Sequence, residues 1–77
     1  MRRKSQSPRK KVLRLRQLRR AREMTQEALG RRVGLNKSTI AMIEKGQRQP
    51  SLEKARAIAK ELDSTVEEIF DYVEIPA

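Results

Sequence analysis

The chain is punctuated so often by helix-starting and helix-ending residues that no segment of it can stand alone. Thr25, Asn36, Ser51 and Thr65 each precede a short run with apolar residues at helical spacing, and Gly34 and Gly46 each follow one. A Ser, Thr or Asn in the first kind of position accepts a hydrogen bond from a free backbone N–H of the opening turn. A glycine in the second kind permits the left-handed residue at which helices stop. Helices bounded this closely fall short of the roughly 12–15 residues at which an isolated helix becomes marginal in water. They must pack on one another, and 77 residues suffice for one domain with one small core.

Reading along the chain, residues 1–11 (MRRKSQSPRKK) have no apolar residue after Met1 and are interrupted by Pro8. A flexible basic arm is expected there. From Val12 the pattern changes, and Leu15, Leu18 and Ala21 or Arg22 predict an amphipathic helix over residues 12–23. A second helix follows Thr25 over residues 26–33 and points Leu29 and Val33 to one side. A third, over residues 36–45, starts at Asn36 and buries Ile40 and Ile43. The fourth starts after Ser51 and is expected to bury Leu52, Ala55, Ile58, Ala59 and Leu62. Thr65 and Glu68 match a capping box for a short fifth helix carrying Val66, Ile69 and Phe70. The tail alternates weakly from Tyr72 to Ile75, enough for a small strand. The expected fold is all-α: five short helices over residues 12–72, with a tail at 73–77 that adds at most one strand. No internal repeat is present.

Charge narrows the function. The formal net charge is +9, and residues 1–22 hold eleven Lys and Arg with no acid. Residues 23–77 hold eight basic and ten acidic residues and net −2. A basic excess gathered at one end reads as a polyanion footprint, with nucleic acid the first candidate and an anionic membrane the second. No apolar run reaches the roughly 20 residues of a membrane span, and the basic start lacks the apolar stretch of a secretory signal. A transit peptide has a similar Arg-rich, acid-free composition, but here the basic run continues directly into the first helix. A cytoplasmic location is the expectation. Cysteine and histidine are absent, which removes disulfides, an ordinary zinc site and a His-based acid or base. With no glycine loop to cradle phosphate and no base beside any Ser or Thr, neither an enzyme nor a cofactor is expected.

The second and third helices, joined at Gly34, form a helix-turn-helix unit over residues 26–45. Close crossing of the two helices requires a small residue, and Gly30 supplies it. Gly within a helix costs about 1 kcal/mol against Ala, so its presence calls for such a reason. Leu29, Val33, Leu35, Ile40 and Ile43 form the shared apolar seam. With Ile40 and Ile43 inward, Lys37, Ser38, Ala41, Met42 and Lys45 line the opposite side.

In the stretches LRQLRRAREMTQEALGRRVGLNKSTIAMIEKG and QPSLEKARAIAKEL the chain resembles the phage-repressor-like helix-turn-helix proteins of the Cro/C1, or xenobiotic-response-element, type. The resemblance covers residues 13–70 and implies a compact five-helix, lambda-repressor-like DNA-binding domain. It also implies a transcriptional regulator, a repressor by expectation, acting as a homodimer on a palindromic operator in double-stranded DNA. By position it implies a phosphate contact at Gln26, base-edge contacts at Lys37 and Ser38, a groove-facing side chain at Met42, and phosphate contacts at Lys45 and Arg48. Arg19 and Glu44 match a buried ion pair between the first and third helices. The chain departs from the pattern at Met42, where many relatives carry a polar residue or Arg, and at Gly30, more often Ala.

The residues themselves allow matching chemistry. Lys37 can donate to guanine O6 and N7, Ser38 to several bases, and Met42 can touch a thymine methyl. Asn36 and Thr39 join the DNA-facing set at the start of the third helix, with Asn36 also a cap and a phosphate contact. The apolar tail and fifth-helix residues Val66, Ile69, Phe70, Tyr72, Val73 and Ile75 are the candidates for a homodimer interface, with tail strands paired across it. No small-molecule ligand or membrane partner is expected. Three alternatives stay open at this level: an antitoxin or restriction-modification controller on the same fold, a protein-interaction module that never meets DNA, and an RNA-associated protein driven by the arm. The last lacks the exposed aromatics that stack on single-stranded bases.

Overall fold

Each predicted cap closes a helix in the structure, a computed structural model that describes residues 9–76. The helices are α1 (Arg14–Ala21), α2 (Gln26–Val33), α3 (Lys37–Glu44), α4 (Leu52–Glu61) and α5 (Val66–Ile69). Thr25 Oγ1 accepts from the Ala28 N–H at 3.0 Å, and Asn36 Oδ1 accepts from the Thr39 N–H at 2.8 Å. Ser51 and Thr65 do the same for Lys54 and Glu68, at 3.1 Å each. In the Thr65–Glu68 box the Glu68 carboxylate also accepts from the Ser64 hydroxyl, at 2.6 Å.

Helix ends follow the same local logic. Past α3, Gly46 sits at φ 76° while its N–H reaches the Ile43 carbonyl and the Gln47 N–H reaches that of Met42. This is the paired closure of a left-handed C-terminus. α1 and α4 end with the same bond pair but place Glu23 (φ 55°) and Asp63 (φ 54°) in the left-handed position.

Around these ends the helices share one aliphatic core. Leu15, Leu29, Ile40, Ile43, Ile58 and Ile69 are fully buried, joined by Leu13, Val33, Ala59 and Leu62. Three readings of the sequence change here. First, the segment before α1 is a strand: β1 (Arg9–Leu13) pairs antiparallel with β2 (Tyr72–Pro76), Val12 opposite Val73 and Leu13 opposite Tyr72. The helix predicted from Val12 therefore starts at Arg14, and Arg9, Lys10 and Lys11 belong to the sheet instead of the arm. Val12 and Leu13 are adjacent and both buried, which suits a strand whose successive side chains point to opposite faces. The rest of the arm, residues 1–8, lies outside the described residues.

Second, Leu52 is 58% exposed. It is the first residue of α4, where Ser51 and Glu53 are also exposed, and the core begins only at Ala55. Third, Ile69 is fully buried in its own core, and Val66 and Phe70 pack against that core. Together with the internal pairing of β2, this leaves Tyr72, 58% exposed, as the most open of the predicted dimer residues whose side chains are described. Val73 is half-buried, and the side chain of Ile75 lies outside the described residues.

The turn between α2 and α3 is drawn tight at Gly30. The Leu35 N–H donates to the Gly30 carbonyl at 2.8 Å, and a methyl group on Gly30 would collide with the Leu35 carbonyl oxygen. An Ala at this position does not fit this approach. Gly30→Ala is accordingly expected to destabilise the fold by about 1–3 kcal/mol, the range for overpacking, despite the better helix propensity of Ala. Urea unfolding measures it, and an unchanged or higher midpoint would show that the turn yields freely.

Candidate nucleic-acid interface

α3 turns about 100° per residue, which sorts its exposed side chains into rows. Ile40, Ile43 and Glu44 face the core. Directly opposite stand Ser38 and Met42, both exposed, Met42 by 38%. Lys37, Ala41 and Lys45 form an adjacent row on the side toward α1, and half-buried Thr39 lies on the other flank. Asn36 commits its Oδ1 to the Thr39 N–H as a cap. Arg48 is exposed in the loop just beyond Gly46.

Behind the row of Lys37, the position of α3 is set by buried charge. Arg19 of α1 is 8% exposed and Glu44 of α3 is 2% exposed. Arg19 Nε donates to Glu44 Oε2 at 2.6 Å and its Nη2 to Oε1 at 3.2 Å. Its Nη1 donates to the Met24 carbonyl at 2.7 Å, and Gln26 Nε2 donates to Glu44 Oε1 at 3.0 Å. The fork geometry of a guanidinium on a carboxylate is directional, so this cluster fixes α1, the start of α2 and α3 together. It also redefines Gln26: one amide proton is held by Glu44, leaving the other and the unpaired backbone N–H of the opening turn of α2 for a ligand.

Three side chains that sequence reasoning did not assign belong to this arrangement. Arg16 and Arg20 of α1 line an open cleft of about 570 Å³ whose other wall is Lys37, Ala41 and Lys45, with Gln26 at its end. Their spacing of four residues beside Arg19 carried the signal, since such residues share a helix face. In the sequence it merges with the general basic excess of residues 1–22. The third is Lys54 of α4, whose ammonium donates to the Val33 carbonyl at 2.7 Å and places a cation on the negative end of α2. No group of His, Cys, Asp and Glu suited to a metal ion occurs among the described residues. None of their helices is long and apolar enough to cross a membrane.

Comparison with known proteins agrees with this geometry. Residues 15–69 match the family model described as Helix-turn-helix. The chain belongs to the helix-turn-helix family of transcriptional regulators. Among its relatives is an HTH-type transcriptional regulator of Archaeoglobus fulgidus, 45% identical over 51 residues that make up 66% of this chain and 72% of that protein. A second regulator of the same organism is 40% identical over 57 residues, 74% of this chain and 81% of that protein. In three dimensions the helix-turn-helix domain is similar to the restriction-modification controller protein C.AhdI from Aeromonas hydrophila. The TM-score is 0.67 at 40% identity, covering 74% of this chain and 86% of that one. It also shares the fold of the clp gene regulator ClgR from Corynebacterium glutamicum, with a TM-score of 0.66 at 20% identity over 71% of this chain and 58% of the other.

Removing one partner of a buried ion pair typically costs about 3–5 kcal/mol, whereas replacing both by apolar residues of similar volume costs far less. Glu44→Ala is expected in that range, and Arg19→Met with Glu44→Leu is expected to cost less than Glu44→Ala alone. Chemical denaturation of Glu44→Ala, of the double variant and of its two component single variants measures the coupling. A double replacement as damaging as the sum of its parts would deny the pair its mutual dependence.

Proposed function

We propose that this helix-turn-helix protein is a sequence-specific repressor that inserts α3 into the major groove and acts as a homodimer on a palindromic operator. The observation that carries the reading is the exposed face of α3, a central row of Ser38 and Met42 bordered by Lys37 and Lys45 and free of acid. A helix with its side chains is about 10–12 Å across and fits a major groove about 12 Å wide. The first residues of a recognition helix meet base edges, which assigns Lys37 and Ser38 to them and Met42 to a thymine methyl one turn later. Gln26, Asn36, Lys45 and Arg48 would then bond phosphates and set the register. Thr39 borders the same groove from the opposite flank.

Size supports two copies. The eight residues of α3 extend about 12 Å, enough for only a few base pairs, and each base pair discriminates by roughly 1–3 kcal/mol. Doubling the reading helix doubles the site, with half-sites about 34 Å apart. A bound domain occupying the groove excludes polymerase from the same sequence, which supports repression. The likeness to C.AhdI at 40% identity favours a second, narrower reading of the same activity, control of a restriction-modification operon.

Selection of bound sequences from a random duplex pool is expected to enrich one palindromic motif with that spacing. Ser38→Ala and Met42→Ala are expected to relax the preference at individual positions, whereas Lys45→Ala lowers affinity for every duplex alike. Recovery of no motif at physiological salt would reject sequence-specific recognition, and a motif without dyad symmetry would reject the dimer.

A further inference from the structure

The cleft between α1 and α3 is lined by four cationic side chains that no carboxylate neutralises among the described residues. Arg16 and Arg20 form one wall, and Lys37 and Lys45 stand on the other. None of the four is ion-paired among the described residues. The one carboxylate in the cleft, Glu44, is already taken by Arg19 and Gln26. Gathering four like charges around one opening opposes the compact state by self-repulsion, and nothing in the core requires it. Arg16 is half-buried and Arg20 exposed. Between the two lysines the wall is Ala41, small enough to leave the cleft open.

The position of the cleft indicates what enters it. A helix that fills the major groove lays its flanking rows against the phosphate ridges on either side. The row Lys37, Ala41 and Lys45 is such a flank, so the ridge beside it runs into the cleft and meets α1. We propose that Arg16 and Arg20 form a second clamp on the duplex phosphodiester backbone, gripping one ridge from the side opposite Lys45. The inference rests on insertion of α3 into the groove and extends the DNA-binding surface from the helix-turn-helix to α1. The clamp reads no bases. It sets affinity and its dependence on salt, while Ser38 and Met42 set sequence.

The test is the salt dependence of binding by the full chain, followed by fluorescence anisotropy on two short duplexes, one of mixed sequence and one bearing the motif enriched by selection. Each phosphate neutralised contributes about 0.9 to the slope of log affinity against log salt on B-form DNA. The double variant Arg16→Gln, Arg20→Gln is expected to flatten that slope by about 1.8 on both duplexes and to leave their affinity ratio unchanged. Its thermal midpoint at low salt is expected to equal or exceed that of the unaltered chain, because repulsion in the cleft is relieved. Arg56→Gln, Lys60→Gln removes the same charge from the exposed side of α4 and is expected to leave the slope as it was. Equal slopes for the cleft variant and the unaltered chain, or an equal flattening in the α4 control, overturn the clamp. So does retention of the DNA slope with loss of binding to phosphatidylserine-containing vesicles, which assigns the cleft to lipid. The mixed-sequence arm reads the clamp even where selection yields no motif, so failure of the clamp and failure of sequence recognition are told apart.

Discussion

The buried contact of Arg19 with Glu44 is the joint on which the binding surface depends. Hydrophobic burial is non-directional, and the leucines and isoleucines of this core would tolerate small rotations of α3 against α1. Two charges removed from water tolerate little, because each unmet hydrogen bond there is costly. Arg19 spends three nitrogens, two on Glu44 and one on the Met24 carbonyl, and Glu44 takes a further bond from Gln26. The result ties α1, the turn after it, α2 and α3 in one geometry. A small domain has a total stability of only about 5–15 kcal/mol, so stranding either charge without its partner, at about 3–5 kcal/mol, removes a large share of it.

The remaining supports hold α3 by its ends. At its start the Gly30 backbone presses on Leu35 and fixes the turn. At its finish the Tyr72 hydroxyl occupies the place a side chain on Gly46 would need. The strand carrying Tyr72 is itself anchored by β1, so the two ends of the described chain brace the end of α3. Lys54 secures α2 from behind by capping its carbonyl end. Acidic residues collect in α4, α5 and the turns around them, at Glu53, Glu61, Asp63, Glu67, Glu68 and Asp71. The cationic face therefore stands apart from most of the acid.

How far the sequence was legible differs from element to element. The starts of α2, α3, α4 and α5 are legible at Thr25, Asn36, Ser51 and Thr65, and the ends of α2 and α3 at Gly34 and Gly46. Pairing Arg19 with Glu44 needed the family resemblance, because no local rule joins positions 25 apart. The strand is half visible: residues alternate from Tyr72, but its partner segment carries the spacing of a helix start. Val12, Leu13, Leu15 and Leu18 fit the opening of an amphipathic helix, and nothing near them reports that a strand is waiting at Val73. The exposure of Leu52 and the burial of Ile69 are hidden for a related reason, since periodicity gives the apolar face of a helix but not where the core along that face begins or ends.

What the sequence alone determined is thus the set of helices and those of their limits that carry a cap or a glycine stop, because such a feature is a bond across three to five residues and is complete before anything folds around it. Tertiary structure decided which residues share a surface. The terminal sheet, the exposure of Leu52, the closure of Ile69 into the core and the meeting of Arg16 and Arg20 with Lys37 and Lys45 all join positions far apart in the chain. Such contacts exist only once the core has set the angles between helices, and no local pattern encodes those angles.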